Sequence, residues 1–256
     1  MNQVIKLFIL AAFLFASVSA CVHGSKRDIL DSYEKELLEN YRQPKSGDHS
    51  AKNNILDYIS TRLTFQSHLG DIDHVAAMIS LLKKSDQKIF EDQMIQLSVY
   101  LIDGPSVENI PVSRMEKGLQ IEYTPRFTAS VILHKLSFLR TDKSMQYIES
   151  LIYPVEQWRE PEFSSLINQY KNSENDEARK MMQHAIHDLR LKAMGCIFHP
   201  LDSVGKTKLS QIEKIVKSFD DDSPSTIYKT KALLLQRLDI WKKIYSGEID
   251  VTRWRD

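Results

Sequence analysis

NDEARKMMQHAIHDLRLKAMGCI, residues 175–197, carries Met182, Ile186, Leu189 and Ala193 at spacings of four, three and four. At about 100° per residue these four side chains lie on one stripe of an α-helix. The same rhythm returns at Phe90, Met94, Leu97 and Leu101, and at Leu234, Leu238, Trp241 and Tyr245. Ile72, Val75, Ile79 and Leu82 give the complementary three, four, three pattern. The periodicity predicts helices near 27–42, 51–68, 72–84, 86–102, 127–139, 142–152, 160–171, 175–197, 207–219 and 225–246.

The breaks between these segments carry turn and cap chemistry: Gly70-Asp71, Ser85-Asp86, Thr141-Asp142, Asn172-Ser173 and Asp222-Ser223-Pro224-Ser225. Short connections force neighbouring helices to pack antiparallel. The expected fold is therefore all-α, antiparallel helical hairpins packed as a bundle or a short α-solenoid. No residue signature of fixed period marks a repeat.

Residues 104–126 break the regime. With Pro105, Pro111 and Pro125 a continuous helix is implausible, and Leu119, Ile121 and Tyr123 alternate with polar residues as a short strand does. An irregular or small β-hairpin insertion is expected here, between an N-terminal helical part at 27–103 and a C-terminal one at 127–256. Long loops often carry function, which makes Arg114, Tyr123 and Arg126 candidate partner-binding residues.

The start of the chain is of another kind. Lys6 precedes the uncharged run Leu7–Ala16, LFILAAFLFA, and Val18-Ser19-Ala20-Cys21 follows. The apolar run is too short for a bilayer-spanning helix, which needs about 20 apolar residues, and reads as an export signal over residues 1–20. The tetrad resembles the lipobox of bacterial lipoproteins. That resemblance implies cleavage before Cys21, lipidation of its sulfur, and residues 21–26 as a tether. Val22 stands where an inner-membrane retention signal places Asp, so an outer-membrane, periplasm-facing location is implied. Two or three acyl chains at about 0.8 kcal/mol per buried methylene hold a protein on a membrane durably. Cys196, the other cysteine, would then have no disulfide partner.

Composition narrows the partners. Removing residues 1–20 takes away Lys6 alone, leaving 33 basic and 34 acidic side chains of the 34 and 34 in the full sequence. Non-specific nucleic-acid binding needs a basic excess, so no nucleic-acid partner is expected. A local excess does occur: between Lys206 and Lys243 there are nine Lys or Arg against five Asp or Glu.

The sharpest cluster of chemistry-bearing side chains is His184, His187 and Asp188, three and four apart on a predicted helix, a spacing that suits two imidazoles and a carboxylate around one metal. Helical geometry places all three opposite the stripe of residues 182–193, on a solvated face. The His187-Asp188 dipeptide resembles the paired metal ligands of HD-class phosphohydrolases. That class is helical and adds an upstream His, for which His134 is the candidate, and a downstream Asp, for which Asp202 is one. His134 shares a face with Phe127, Val131 and Phe138 and reads as a core histidine. Asp220-Asp221-Asp222 lacks the glycine and terminal glutamate of an EF-hand loop. No G-x-S-x-G elbow, phosphate-binding loop or C-x-x-C is present.

These observations imply a non-enzymatic, membrane-tethered helical lipoprotein acting on another envelope protein as an adaptor, assembly, or immunity or exclusion factor. No cofactor is expected. The alternative is a metal-dependent hydrolase built on His184, His187 and Asp188.

Overall fold

The structure, a computed structural model, describes residues 30–44, 50–64, 66–67, 69–103, 112–116, 119–123, 125–158, 163–172, 176–198, 203–219 and 230–250. The fold is all-α. Cys21, its tether, Asp202 and the acidic triplet at 220–222 lie outside the described residues. The helices are α1 (Ser32–Arg42), α2 (Ala51–Arg62), α3 (Leu69–Ile79), α4 (Lys84–Gln87), α5 (Glu91–Asp103), α6 (Pro125–Leu139), α7 (Asp142–Ser150), α8 (Ser164–Asn172), α9 (Asp176–Ile197), α10 (Ser203–Ser218) and α11 (Thr230–Ser246). Between α5 and α6 the backbone of β1 (Val112–Glu116) pairs antiparallel with β2 (Leu119–Tyr123), Val112 opposite Tyr123. No helix among the described residues is long and apolar enough to cross a membrane.

The chain divides into two compact units, 1–97 with 110–135, and 98–109 with 136–256, so the division runs within α5 and α6.

In the first unit α1 starts at Asp31 because two hydrogen bonds close there. The Asp31 carboxylate accepts from the Glu34 N–H at 2.8 Å, and Glu34 accepts from the Asp31 N–H at 2.9 Å. This reciprocal box satisfies two donors that a bare helix end leaves open. The inward face of α1 is Glu34, Leu37, Leu38 and Tyr41, and α1 packs on α2. The buried face of α2 is Ala51, Ile55 and Ile59. α3 buries Ile72 and every residue from His74 to Ile79, as a helix enclosed on several sides must. Each fully buried Ile or Leu contributes about 1.5–3 kcal/mol.

The expected helix over 72–84 ends at Ile79. Leu81 and Leu82 donate to the carbonyls of Met78 and Ile79 in a tightened last turn, and the Gln87 side chain takes the Leu82 carbonyl at 2.9 Å. The chain restarts as α4 and a 3₁₀ turn, Lys88–Phe90, before α5.

In the second unit Thr141 caps α7 by accepting from the Ser144 N–H at 3.1 Å. The Asp103 carboxylate accepts from the Leu166 N–H at 2.8 Å and so caps α8. α9, with 22 residues, is about 33 Å long and packs against α7, α8 and α11. α10 packs on α11, and Gly205 permits the approach, because a Cβ there would lie 2.4 Å from the Tyr245 hydroxyl. Arg140, between α6 and α7, holds a left-handed backbone with φ 53°, and its guanidinium donates to the Ile197 carbonyl at 3.0 Å.

Candidate functional site

Two polar clusters lie in the first unit. Glu34, 2% exposed, accepts from the Asp31 N–H, from the Tyr58 hydroxyl at 3.1 Å, and from His74 Nδ1 at 3.2 Å. With Glu34 ionised, only the Nδ1–H form of His74 makes this bond. Burial opposes ionisation of Glu34, but the His74 and Asp31 hydrogen bonds and the His74 charge outweigh it and hold its carboxyl below the usual range. Burial and the adjacent Glu34 charge push the Tyr58 hydroxyl up. Above the cluster, the Arg62 guanidinium sits 3.8 Å from the Tyr58 ring centre, and Tyr33 meets that ring edge-on at 5.5 Å.

One carboxylate thus ties α1, α2 and α3 together. A carboxylate–imidazole pair is also the core of many general bases, but that chemistry needs the second ring nitrogen to reach a substrate. His74 Nε2 is buried. The pair therefore acts as an interhelical tie.

The second cluster centres on Asp86, which accepts from Lys52 Nζ and from the Tyr41 hydroxyl, both at 2.7 Å. The Tyr41 oxygen in turn accepts from the Lys83 N–H at 3.0 Å. The Lys52 hydrogen bond, opposed by burial and aided by Tyr41, depresses the Asp86 carboxyl. This arrangement fastens the start of α4 to α1 and α2.

The His184, His187 and Asp188 side chains diverge. His184 Nε2 and an Asp188 oxygen lie 4.0 Å apart with both side chains half exposed. His187, expected on the same solvated face, is instead 6% exposed, and its Nδ1 meets Thr230 Oγ1 of α11 at 3.0 Å. The reason is the number of neighbours: α9 packs against three helices and so buries an arc wider than one stripe, taking in Gln183, His187 and Arg190 as well. Burial pushes the His187 imidazole down, with Asp188 pulling the other way. Among the described residues, no group of three His, Cys, Asp or Glu side chains is placed to hold a metal ion.

No family model, curated protein or solved structure matches this chain.

The face assigned to His134 is also corrected. α6 buries Ala129, Ile132, Leu133, Leu136 and Leu139, whereas Phe138 is 41% exposed and His134 is half-buried. The side chains of Arg114, Tyr123 and Arg126 lie outside the described residues. Cys196 is half-buried near the end of α9.

The residues that spacing alone did not mark are Glu34, Tyr58, His74, Tyr41, Lys52 and Asp86. One signal was available for the first of them, since Asp31-x-x-Glu34 is a capping-box pattern.

Proposed function

We propose that this chain is a lipid-anchored helical lipoprotein of the bacterial envelope that acts by binding another envelope protein, as an adaptor, assembly, or immunity or exclusion factor. The observation that carries the reading is the tetrad Val18-Ser19-Ala20-Cys21 directly after the apolar run Leu7–Ala16. Cys21 is the lipidated residue, and the outer membrane, on its periplasmic side, is the destination. Tethering concentrates the protein near its partner and offsets modest intrinsic affinity. Arg114 and Tyr123, on the insertion between α5 and α6, and Arg126, in the first turn of α6, are the partner-facing residues.

The buried polar side chains of the first unit are taken up in ties between helices. The hydrolase alternative draws less support, since His187 turns to Thr230 while His184 and Asp188 face solvent.

Metabolic labelling with palmitate, followed by membrane fractionation, tests the anchor. Cys21→Ser is expected to abolish the label and release the protein, and label persisting on that variant would sink the assignment. Photo-crosslinkers at positions 114, 123 and 126 of the anchored protein are expected to capture one envelope protein. Capture of none from any of the three positions would remove that segment from the interface.

A further inference from the structure

The helix pair α10–α11 carries a net positive charge that the rest of the chain balances. Residues 203–218 contain four Lys and one Glu, and 230–246 contain four Lys or Arg and one Asp, a local net of +6 in a sequence whose formal net charge is zero. Counting through 206–243 with Asp220, Asp221 and Asp222 still leaves nine basic against five acidic side chains.

The structure sorts these charges into two sets. Lys208 turns to Glu149, Lys231 donates to the Phe219 carbonyl at 2.6 Å, and Arg237 donates to the Leu191 carbonyl at 3.0 Å. These hold the second unit together. Glu213, the acid of α10, is clamped between Lys217 at 2.7 Å and Lys242 at 2.9 Å. The outer stripe of α10 carries Lys206, Ser210, Lys214 and Lys217 within an arc of about 80° on the helix, with Glu213 at its edge paired to Lys217 and Lys242. Lys206 and Lys214 are exposed, and the Lys217 side chain is 62% exposed.

We propose that this lysine stripe rests on the anionic phospholipid headgroups of the membrane that carries the chain. The proposal rests on the tethered-lipoprotein reading, which places the chain at a membrane. The charge is of the right sign, and the groups are lysines. A lysine is a mobile point charge suited to a diffuse plane of headgroups, whereas recognition of one phosphate favours convergent arginine forks.

The test uses the mature chain, residues 21–256, carrying Cys21→Ser, so that no acyl group takes part. Its flotation is compared on vesicles of phosphatidylethanolamine with phosphatidylglycerol and on vesicles of phosphatidylethanolamine with phosphatidylcholine. Binding to the anionic vesicles only, reversed by added salt, is expected. The variant Lys206→Gln, Lys214→Gln, Lys217→Gln, checked for native helicity by circular dichroism, is expected to bind about 100-fold more weakly.

Equal binding to both vesicles, no binding to either, or an unchanged affinity in the folded triple variant would each overturn the proposal. Should the variant not fold, the lipid and salt dependence of the unsubstituted chain decides alone. Binding to polyglutamate but to no vesicle would overturn it in favour of an acidic protein partner. Since the chain tested is unacylated, failure here leaves the palmitate result on Cys21 untouched, and the reverse holds too.

Discussion

The two units solve the same problem, tying buried polar groups between helices, by different chemistry. In the first, carboxylates are the hubs: Glu34 gathers Tyr58 and His74, and Asp86 gathers Tyr41 and Lys52. In the second, basic side chains reach main-chain carbonyls: Arg140 to Ile197, Arg190 to Ile152, Arg237 to Leu191 and Lys231 to Phe219. A carboxylate hub loses its charge in acid. A guanidinium donor keeps its charge at any pH a protein survives. The first unit's hubs are thus titratable, whereas the three arginine ties of the second, Arg140, Arg190 and Arg237, are not.

The largest break in this contrast is expected from Glu34→Ala, which strands His74 and the Tyr58 hydroxyl in a buried site. Loss of one partner from such a buried pair costs about 3–5 kcal/mol. Denaturant unfolding followed by a probe in each unit should show the first unit weakened and the second unchanged. A loss below about 1 kcal/mol would demote the cluster to a surface-like pair.

Next in size is Arg190→Met, which keeps the side-chain volume but leaves the Ile152 carbonyl without its 2.8 Å donor. A hydrogen bond to a charged group contributes about 1.5–3 kcal/mol. The loss should fall in the second unit and be the same at pH 4 and pH 8.

Gly205→Ala sharpens the comparison at the α10–α11 contact. Alanine gains about 1 kcal/mol of helix propensity over glycine, yet its Cβ displaces the Tyr245 hydroxyl. The single variant is expected near neutral, and Gly205→Ala measured in a Tyr245→Phe background should be more favourable by up to about 1 kcal/mol, the Ile197 carbonyl at 3.3 Å from the new Cβ limiting the gain. Equal effects in the two backgrounds would show that the hydroxyl is not what meets the new methyl group.

The smallest changes at neutral pH concern slopes. Glu34 and Asp86 are depressed below their ordinary 4.5 and 3.8, so their contribution is present above those values and is lost as pH falls below them. Glu34→Gln and Asp86→Asn should flatten the acid limb of the first unit. His187 is held neutral by burial, depressed below 6.5, so the unfolded chain takes up its proton first and stability falls as pH drops from 6.5. His187→Gln should flatten that slope in the second unit, and a slope that persists there must come from other groups.

How much of this was legible in the sequence depends on the range of the interaction. The stripe at Met182, Ile186, Leu189 and Ala193 predicted α9 within one residue at its start, because a 3.6-residue period is a local property. Thr141-Asp142 marked the start of α7 for the same reason, since a cap acts within three residues. The burial of His187 was not legible. A single stripe predicts one packed face, and only the assembled fold adds α11 on the other side, with Thr230 lying 43 residues onward. His74 was silent in the same way, 40 residues from Glu34.

At the corner between α6 and α7, separation along the chain becomes separation in time. Arg140 takes a left-handed backbone that costs a non-glycine residue roughly 1–2 kcal/mol, and the carbonyl its side chain meets, that of Ile197, is synthesised 57 residues later. Until the end of α9 has formed, the Ile197 carbonyl is not in place to hold the corner, and the local contact is that of the Arg140 guanidinium with the Met145 sulfur at 3.6 Å. The corner is therefore expected to close late in folding. In pulsed hydrogen exchange, amides near Arg140 should gain protection together with those at the end of α9, and earlier protection would mean that the turn closes without waiting for that helix.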